Sequence, residues 1–333
     1  MKVTSAKELS QAFEGKKVLF ITTKNIDYLR NTQELDVIGK GAKELKQVYS
    51  NSKCYPLRLV ELFFRLIFMG FSKYDEIFIG FAPQLILPFF AWKISCPVSI
   101  DFFISMYDTL IHDRKKFKDG SFIAKLCHRL DRRTLKLAHR VICDTKAHGA
   151  YFAQEFDIEK EKLQVLYLQA DEKIFYPQIK QKPSSLADQF VVLYFGSILP
   201  LQGVEIILDA MNALKDEKFV YFILIGPVKK NTYTGSQAKF IHWLSQEELA
   251  DYIAFSDLCL AGHFNGEIEK AKRTIPGKAY IYESMEKPMI LGDALANREI
   301  FTEDERHFFV KQGDEKLLSQ KILKARNQLK IMI

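Results

Sequence analysis

The chain has 333 residues, of which 48% are hydrophobic and 27% charged, with 16 glycines and 10 prolines. This composition excludes collagen-like, disordered and low-complexity chains, and the length fits two domains of about 150 residues each. The formal net charge of +7 is uneven, because the first 183 residues carry +9 and the remainder −2. This asymmetry indicates two domains with different partners.

Short apolar runs alternate along the chain with amphipathic helical patterns. Most of the runs are continuously hydrophobic, which is typical of parallel strands covered on both faces. Repeated β-α-β units of this kind predict an α/β fold with two sheets. Ten strands are predicted: Val18–Thr22, Glu76–Gly80, Pro97–Asp101, Arg140–Cys143, Leu163–Tyr167, Phe190–Phe195, Phe219–Ile225, Phe240–Trp243, Leu258–Ala261 and Pro288–Leu291.

A polar stretch from Pro177 to Ser185 separates the two halves and contains two prolines, two lysines and two serines. Such a composition between apolar runs predicts an interdomain linker. The expected division is an N-terminal domain 1–178, a linker 179–185 and a C-terminal domain 186–333. In this division the final helix of the second domain can pack back onto the N-terminal domain.

Neither a membrane-spanning helix nor a secretory leader is expected. The most apolar stretch, 78–92, is interrupted by Pro83 and Pro88, whereas a spanning helix needs about 20 unbroken apolar residues. The five cysteines are scattered and never form Cys-x-x-Cys, which favours a reduced, cytoplasmic protein without structural zinc.

Several common motifs are absent from the sequence: the P-loop, Gly-x-Gly-x-x-Gly after a strand, His-Glu-x-x-His, Gly-x-Ser-x-Gly and Asp-x-Asp. His112-Asp113 and Cys127-His128 do not have metal-ligand spacing. We therefore expect neither a bound metal nor a cofactor.

The most informative segment runs from Thr274 to Asp293. Pro276 suits the first turn of a helix, whose N-terminus attracts anions, and Lys278 adds a full positive charge there. Glu283 is expected one turn beyond Ala279, about 5 Å along the axis, which is close to the distance from a nucleoside diphosphate to its ribose hydroxyls. The alternative is an ordinary surface helix with an exposed glutamate.

Five segments, in the correct order, resemble family 4 glycosyltransferases of the GT-B fold. The segment 274–293 resembles that family's donor-binding helix and following strand, and 194–203 its strand, glycine loop and helix. The remaining three segments are 222–226, the stretch 244–258, and Asp171-x-x-x-Phe175-x-Pro177. The C-terminal half is covered well and the N-terminal half only loosely, through Ile100-Asp101, 108–116 and Ala138–Cys143.

The resemblance implies two Rossmann-like, doubly wound domains facing a cleft. It also implies retaining transfer of a sugar from a nucleotide-sugar, a UDP-sugar by preference, to a glycan or lipid-linked glycan in surface-polysaccharide synthesis. Catalysis is expected to involve Asp101, Lys278 and Glu283. The donor is expected at Gly196, Ser197, Gln202, Gly203, Gly226, His263, Asn265, Pro276, Gly277, Lys278, Ala279 and Glu283.

Three positions depart from the family pattern. Ser197 and Gln202 stand where many members have an arginine and a lysine on the diphosphate, and Ile275 replaces the first of two glutamates. Three interpretations follow. The first is a subfamily whose phosphate site uses Lys278, loop amides, or the basic residues within 270–273. The others are a non-catalytic GT-B-like subunit that binds a glycan or a partner transferase, and a nucleotide-sugar epimerase.

The acceptor is expected over the carboxyl ends of the N-terminal strands. The polar and aromatic loop 23–31 suits a sugar or a phosphate, and the acceptor-binding candidates are Asn25, Tyr28, Arg30 and Asp108. Asp101 ends a strand at this edge, where it can accept a hydroxyl proton, hold a sugar or cap the following turn. No general base is assigned, because the resemblance allows the leaving phosphate to take the acceptor proton.

The stretch 111–140 carries a formal charge of +7 with interleaved apolar residues. This pattern fits an anionic membrane surface, and the aromatic run 62–71 can enter the interface beside it. The alternative is a solvated helix face over a core helix. No nucleic-acid recognition motif accompanies the charge, so no nucleic-acid partner is expected. The expected location is the cytoplasm or the inner face of the cell membrane.

Overall fold

The computed structural model describes residues 2–228 and 233–331. The chain divides into two compact units, and the boundary along the sequence falls between Leu168 and Gln169. Each unit is a parallel sheet with helices packed around it, so the predicted α/β class with two doubly wound domains is confirmed.

The described strands and helices have these bounds. The strands are β1 (Lys2–Val3), β2 (Lys17–Ile21), β3 (Glu44–Val48), β4 (Glu76–Ile79), β5 (Val98–Asp101), β6 (Arg140–Cys143), β7 (Leu163–Val165), β8 (Phe190–Phe195), β9 (Val220–Ile225), β10 (Ala238–Ile241), β11 (Leu258–Leu260), β12 (Met289–Gly292) and β13 (His307–Val310). The α-helices are α1 (Ala6–Gln11), α2 (Leu29–Gly41), α3 (Tyr55–Phe68), α4 (Leu87–Phe90), α5 (Phe122–Leu137), α6 (Lys146–Phe156), α7 (Val204–Ala213), α8 (Gln246–Phe255), α9 (Glu269–Arg273), α10 (Gly277–Ser284) and α11 (Glu315–Ile331).

The sheet of the first unit has the order β1-β7-β6-β5-β4-β2-β3, with every pair parallel. From β2 the chain first adds β3 on one side and then returns to add β4 on the other side, so the direction in which strands are added reverses between β2 and β4. Ligands of open α/β sheets bind outside the carboxyl ends of the strands at such a reversal. The segments that follow β2 and β4 are therefore the expected binding edge of this unit.

The sheet of the second unit has the order β10-β9-β8-β11-β12-β13 and is also parallel throughout. This is the 3-2-1-4-5-6 order of dinucleotide-binding folds, and the reversal lies between β8 and β11. The core on one face of the sheet includes Val192, Phe222 and Leu260, packed with α7 and α11. The loops after β8 and β11 are therefore the expected binding edge.

All ten predicted strands are present, and their ends differ from the predicted ones by at most two residues. The structure adds β1, β3 and β13, all at sheet edges. β3 was not predicted because its sequence, Glu44-Leu45-Lys46-Gln47-Val48, lacks the continuous apolar run of a central strand. In the structure only one of these five residues is buried. Edge strands keep one side toward water and tolerate such charge.

The division between the units differs from the predicted boundary. The predicted linker 179–185 lies inside the second unit, where Lys180 pairs with Asp251 at 2.9 Å and Lys182 with Asp257 at 2.5 Å. Its composition resembles a flexible linker, but these ion pairs attach it to the surface of its own unit. Phe175 is also buried there, and its carbonyl accepts a hydrogen bond from Ser284 Oγ at 2.6 Å.

Within the described ranges, no helix combines the length and the hydropathy needed to cross a membrane.

Candidate functional site

Two glycine loops meet at the carboxyl edge of the second sheet. Gly196 follows β8 with φ 138°, and Gly262 follows β11 with φ 84°. Both values lie in the region that side-chain-bearing residues avoid. A Cβ on Gly196 would lie 3.2 Å from Lys278 Nζ, and a Cβ on Gly262 would lie 3.0 Å from the same atom. The glycines therefore make room for one ammonium group at the reversal point of the sheet.

Helix α10 carries that ammonium group. The helix begins at Gly277, and Pro276 is its N-cap rather than its first helical residue; the helix has 8 residues instead of the predicted ten. No side chain caps its N-terminus. The Ala279 amide donates to the Pro276 carbonyl at 2.9 Å. The amides of Gly277 and Lys278, at the first two helical positions, have no acceptor within the helix, so this end offers N–H donors to an anion. Lys278 and the helix N-terminus thus form one positively charged site.

Lys278 is buried without a counter-ion. It is 7% exposed, its Nζ donates to Gln202 Oε1 at 2.5 Å, and it lies 4.3 Å from the centre of the Tyr194 ring. Across the described residues, no carboxylate lies within ion-pair distance of Nζ. Burial lowers the pKa of Lys278 to about 7. A buried cation that only an amide and a ring stabilise favours binding of an anion, which would supply the missing charge.

Most other predicted donor residues surround this site, and several of them build it. Gly203 is the N-cap of α7, and a Cβ there would lie 2.6 Å from the Asn265 nitrogen. The loop at Gly226 packs on Gly196, while Ser197 is exposed beside it. Asn265 Oδ1 accepts from two backbone amides of its own loop, which makes it a turn-forming residue in this state.

His263 shapes the loop after β11. It follows Gly262 and also has a positive φ, of 57°, which is uncommon for a residue with a side chain. Its Nδ1 donates to the Thr274 carbonyl at 3.0 Å, and its own carbonyl accepts from Gln312 Nε2 at 2.6 Å. These bonds hold the loop against the segment that leads into α10.

Glu283 lies away from Lys278. Its Oε2 is 2.7 Å from His307 Nε2, and its Oε1 is 3.4 Å from Arg306 Nη2. His307 is in register with Met289 at the start of β12, so this cluster lies at the amino edge of the sheet. Five residues of helix also separate the directions of the two side chains by about 140°. The structure does not bring Glu283 to the ammonium site, and its contact with a ribose stays a prediction.

In the first unit the structure joins two predicted residues directly. Arg30 donates to both carboxylate oxygens of Asp101, from Nε at 3.1 Å and from Nη2 at 3.0 Å, and its Nη1 donates to the Leu166 carbonyl at 2.6 Å. Both side chains are almost fully buried. Asp101 is therefore held in a two-point ion pair instead of standing free as a proton acceptor.

Glu34 completes this cluster, and the sequence analysis missed it. It lies 3.4 Å from Arg30 Nε, one helical turn along α2, and is fully buried. Burial raises the pKa of Glu34 well above its usual value, and the Asp101 charge adds to the effect. Burial by itself would lower the pKa of Arg30, but the two carboxyl groups raise it. The available signal was the Arg30/Glu34 spacing of four residues on a helix.

The remaining acceptor candidates do not form one group. Tyr28 is the N-cap of α2; its ring meets Phe81 edge to face at 5.7 Å and stacks with Phe103 at 6.4 Å, measured between ring centres. Asn25 is exposed in the same loop, and its carbonyl accepts from the Asn31 side chain. Asp108 is buried in a separate segment, 108–113, where its N–H donates to Ser105 Oγ.

Over the residues that the structure describes, no group of three or more His, Cys, Asp or Glu side chains is placed to hold a metal ion. The expectations of metal independence and of no cofactor stay predictions.

Residues 189–328 match the model of a protein family described as glycosyl transferases group 1. The match covers nearly all of the second unit, including both glycine loops and α10. No curated protein sequence matches the chain.

The whole chain is similar in fold to solved glycosyltransferase structures. Sucrose-phosphate synthase from Thermosynechococcus elongatus has a TM-score of 0.69 at 12% identity, with 95% of this chain and 94% of that chain covered. HepE from Anabaena, in complex with UDP and glucose, has a TM-score of 0.61 at 16% identity, with 94% and 91% covered. A glycosyltransferase from Rickettsia africae has a TM-score of 0.59 at 13% identity, with 94% and 89% covered. The predicted GT-B fold is thereby confirmed, whereas the family number stays a prediction.

Proposed function

Since the second unit matches the glycosyl transferases group 1 in a chain with the GT-B fold, we propose that this protein is a retaining, metal-independent glycosyltransferase. It takes a sugar from a nucleotide-sugar, a UDP-sugar by preference, and transfers it to a glycan or lipid-linked glycan in cell-surface polysaccharide synthesis. The observation that carries the proposal is Lys278, a buried ammonium that no described carboxylate pairs with, at a helix N-terminus between two glycine loops.

The chemistry follows from this placement. As the bond between the sugar and the diphosphate breaks, negative charge develops on the leaving phosphate. A preorganised ammonium and the N-terminus of α10 stabilise that charge more than they stabilise the ground state, which lowers the barrier. Gln202 holds the Lys278 ammonium in position before the donor arrives. Here Gln202 acts as an orienting residue, since an amide cannot supply the charge of the lysine found in many relatives.

Nucleotide-dependent stabilisation tests the proposal. We expect UDP, but not GDP, ADP or CMP, to raise the melting temperature, because a ligand at 100 times its Kd adds about 2.7 kcal/mol. For a unit of this size, in which each kcal/mol shifts the melting temperature by roughly 2–4 °C, that corresponds to roughly 5–11 °C. Absence of a shift with every nucleotide would favour the non-catalytic subunit.

A ribose role of Glu283 has a distinct signature. If its carboxylate accepts from the ribose hydroxyls, 2′,3′-dideoxy-UDP should bind about tenfold more weakly than UDP to the wild type. In Glu283→Ala the two nucleotides should then bind equally. If Glu283 only pairs with Arg306 and His307, the ratio of the two affinities will be the same in both proteins. Calorimetric titration measures the ratio.

A peripheral membrane location is part of the proposal. Helix α3 exposes an apolar row whose most exposed members are Val60, Phe64 and Phe68, at 66%, 65% and 74%. Lys93 Nζ donates to the Ile67 carbonyl at 2.5 Å, which places 89–93 beside that row, and α4 packs on the basic helix α5. Apolar and cationic groups on neighbouring elements are typical of a surface that binds anionic lipid.

We expect Phe64→Ser/Phe68→Ser to lower binding to phosphatidylglycerol vesicles at least about tenfold, because each buried phenylalanine contributes roughly 1.5–3 kcal/mol. Co-sedimentation measures the partition coefficient. The matched control is Trp243→Ser/Leu295→Ser, which removes two equally exposed apolar side chains from the second unit. Equal binding by both variants would show that α3 does not enter the membrane.

A nucleotide-sugar epimerase is the second candidate. A putative UDP-N-acetylglucosamine 2-epimerase from Listeria monocytogenes is similar in fold, with a TM-score of 0.53 at 12% identity. An epimerase would convert the donor with no acceptor present, whereas a transferase would not.

A further inference from the structure

The first unit has a pocket at its carboxyl edge that the predicted acceptor residues only partly cover. It lies between the segments that follow β2 and β3, at the start of α3, and has a volume of about 650 Å³. The charged groups that line it are Lys24, Lys53 and Arg58, with Asp27 as the one acid among its lining residues. The lining therefore carries an excess of positive charge.

Arg58 is the most informative of these groups. It is 5% exposed, and its Nε and Nη2 donate to the Ser52 carbonyl at 3.1 and 2.6 Å, while Nη1 lies 3.5 Å from the Thr23 carbonyl. These carbonyls orient the guanidinium but do not neutralise it. No carboxylate in the described ranges pairs with it. A buried charge is costly unless it is paired, so the arrangement favours an anionic ligand.

Two further features point to the same ligand. Neither Lys24 nor Lys53 forms an ion pair with a described residue, and Lys24 lies over the rings of Tyr28 and Phe81. Helix α3 has 14 residues, and no side chain caps its N-terminus, which adds a partial positive charge at the pocket. By contrast, two of the three lysines that line a pocket at the amino edge of the second sheet pair with aspartates, Lys182 with Asp257 and Lys180 with Asp251.

We infer that this pocket binds a phosphate group of the acceptor, which rests on the proposed glycosyltransferase function. Planar guanidinium and flexible ammonium groups together are well suited to phosphate oxygens. The exposed apolar row of α3 begins at the pocket, because Tyr55 and Arg58 belong to its first turn and Val60, Phe64 and Phe68 follow. This continuity favours a phosphate borne by a lipid over one on a soluble sugar.

Calorimetric titration with pyrophosphate tests the pocket in a Lys278→Met protein, in which the second-unit phosphate site is removed. Lys24→Gln/Lys53→Gln in that background should weaken binding at least about tenfold. The control is Lys43→Gln/Lys46→Gln, which changes the net charge equally at exposed positions outside the pocket. Equal affinity of the pocket and control variants, or no saturable binding at all, would overturn the inference.

The source of the phosphate and the proposed function have separate readouts. Short-chain phosphatidic acid should bind more tightly than glucose 1-phosphate, and Phe64→Ser/Phe68→Ser should remove that preference if the phosphate is lipid-borne. Equal binding of the two would assign the pocket to a soluble phosphosugar.

Lys24→Gln/Lys53→Gln with Lys278 intact should keep the UDP-dependent melting shift. Pyrophosphate binding in a protein with no UDP shift would contradict the proposed function and leave the pocket standing.

Discussion

Lys278→Met is expected to abolish UDP binding and to stabilise the unliganded protein at neutral pH. Loss of the ammonium removes the charge that meets the leaving phosphate, and removal of one such group typically lowers turnover by about a hundred- to a thousandfold. The stabilisation follows from burial: methionine fills similar space beside Tyr194 without a desolvated charge. A variant that gains stability and loses function identifies a residue whose position serves the ligand.

The pH dependence gives this prediction a sign. The pKa of Lys278 is about 7 in the folded protein, below its ordinary value of 10.5. Between these values the unfolded chain binds a proton that the folded chain does not, so this group makes stability rise as pH increases from about 7 to 10.5. UDP needs the protonated form, so its affinity should fall over the same range. Lys278→Met should lose the fall in UDP affinity and the part of the stability rise that Lys278 contributes, whereas the contribution of Lys287, whose pKa is also lowered by burial, should remain.

Urea denaturation and UDP titration between pH 6 and pH 10 are the measurements. The control is Lys287→Met, which removes another partly buried lysine of the same unit, one whose Nζ donates to the Ala254 carbonyl at 2.9 Å. Lys287→Met should keep UDP binding. Full UDP affinity in Lys278→Met would exclude Lys278 as the phosphate ligand and with it the proposed donor site.

Arg30→Met is expected to destabilise the protein by roughly 3–5 kcal/mol. Removing one partner of a buried ion pair leaves the other charge without compensation, and here Asp101 would lose both of its charge-assisted hydrogen bonds. Arg30→Met/Asp101→Asn should recover part of the loss, since the double variant no longer buries an unpaired carboxylate.

Glu34 adds a pH signature to this cluster. Because its pKa is raised in the folded state, its contribution to stability is complete below pH 4.5 and is lost as pH rises through the folded-state pKa. Glu34→Gln should remove that loss.

Urea denaturation measures the stability of the Arg30, Asp101 and Glu34 variants. The control is Arg129→Met at an exposed position, which is expected to stay within about 0.5 kcal/mol of the wild type. A similarly small effect of Arg30→Met would show that the ion pair does not stabilise the unit.

Much of the proposed donor site could be predicted from local sequence. The strand before Gly196, the loop at Gly262 and the helix carrying Lys278 each have a pattern a few residues long, and the chain folds at each place as that pattern predicts. The sequence could not show that Lys278 is buried without a counter-ion. That property depends on Tyr194 and Gln202, which lie more than 70 residues earlier in the chain.

Local sequence was sufficient to predict the two-sheet α/β architecture, ten of its strands and the helix that starts beside Pro276, because hydrophobic periodicity and helix-terminus chemistry act over a few residues. Which charged side chains contact each other was visible only in the folded chain. Folding pairs Arg30 with Asp101 across 71 positions, brings Glu283 to His307, and gives Arg58 no carboxylate partner within the part of the chain that the structure describes. Charges act through space in a low-dielectric interior, and the order of strands in a sheet sets those distances, so spacing along the chain does not contain them.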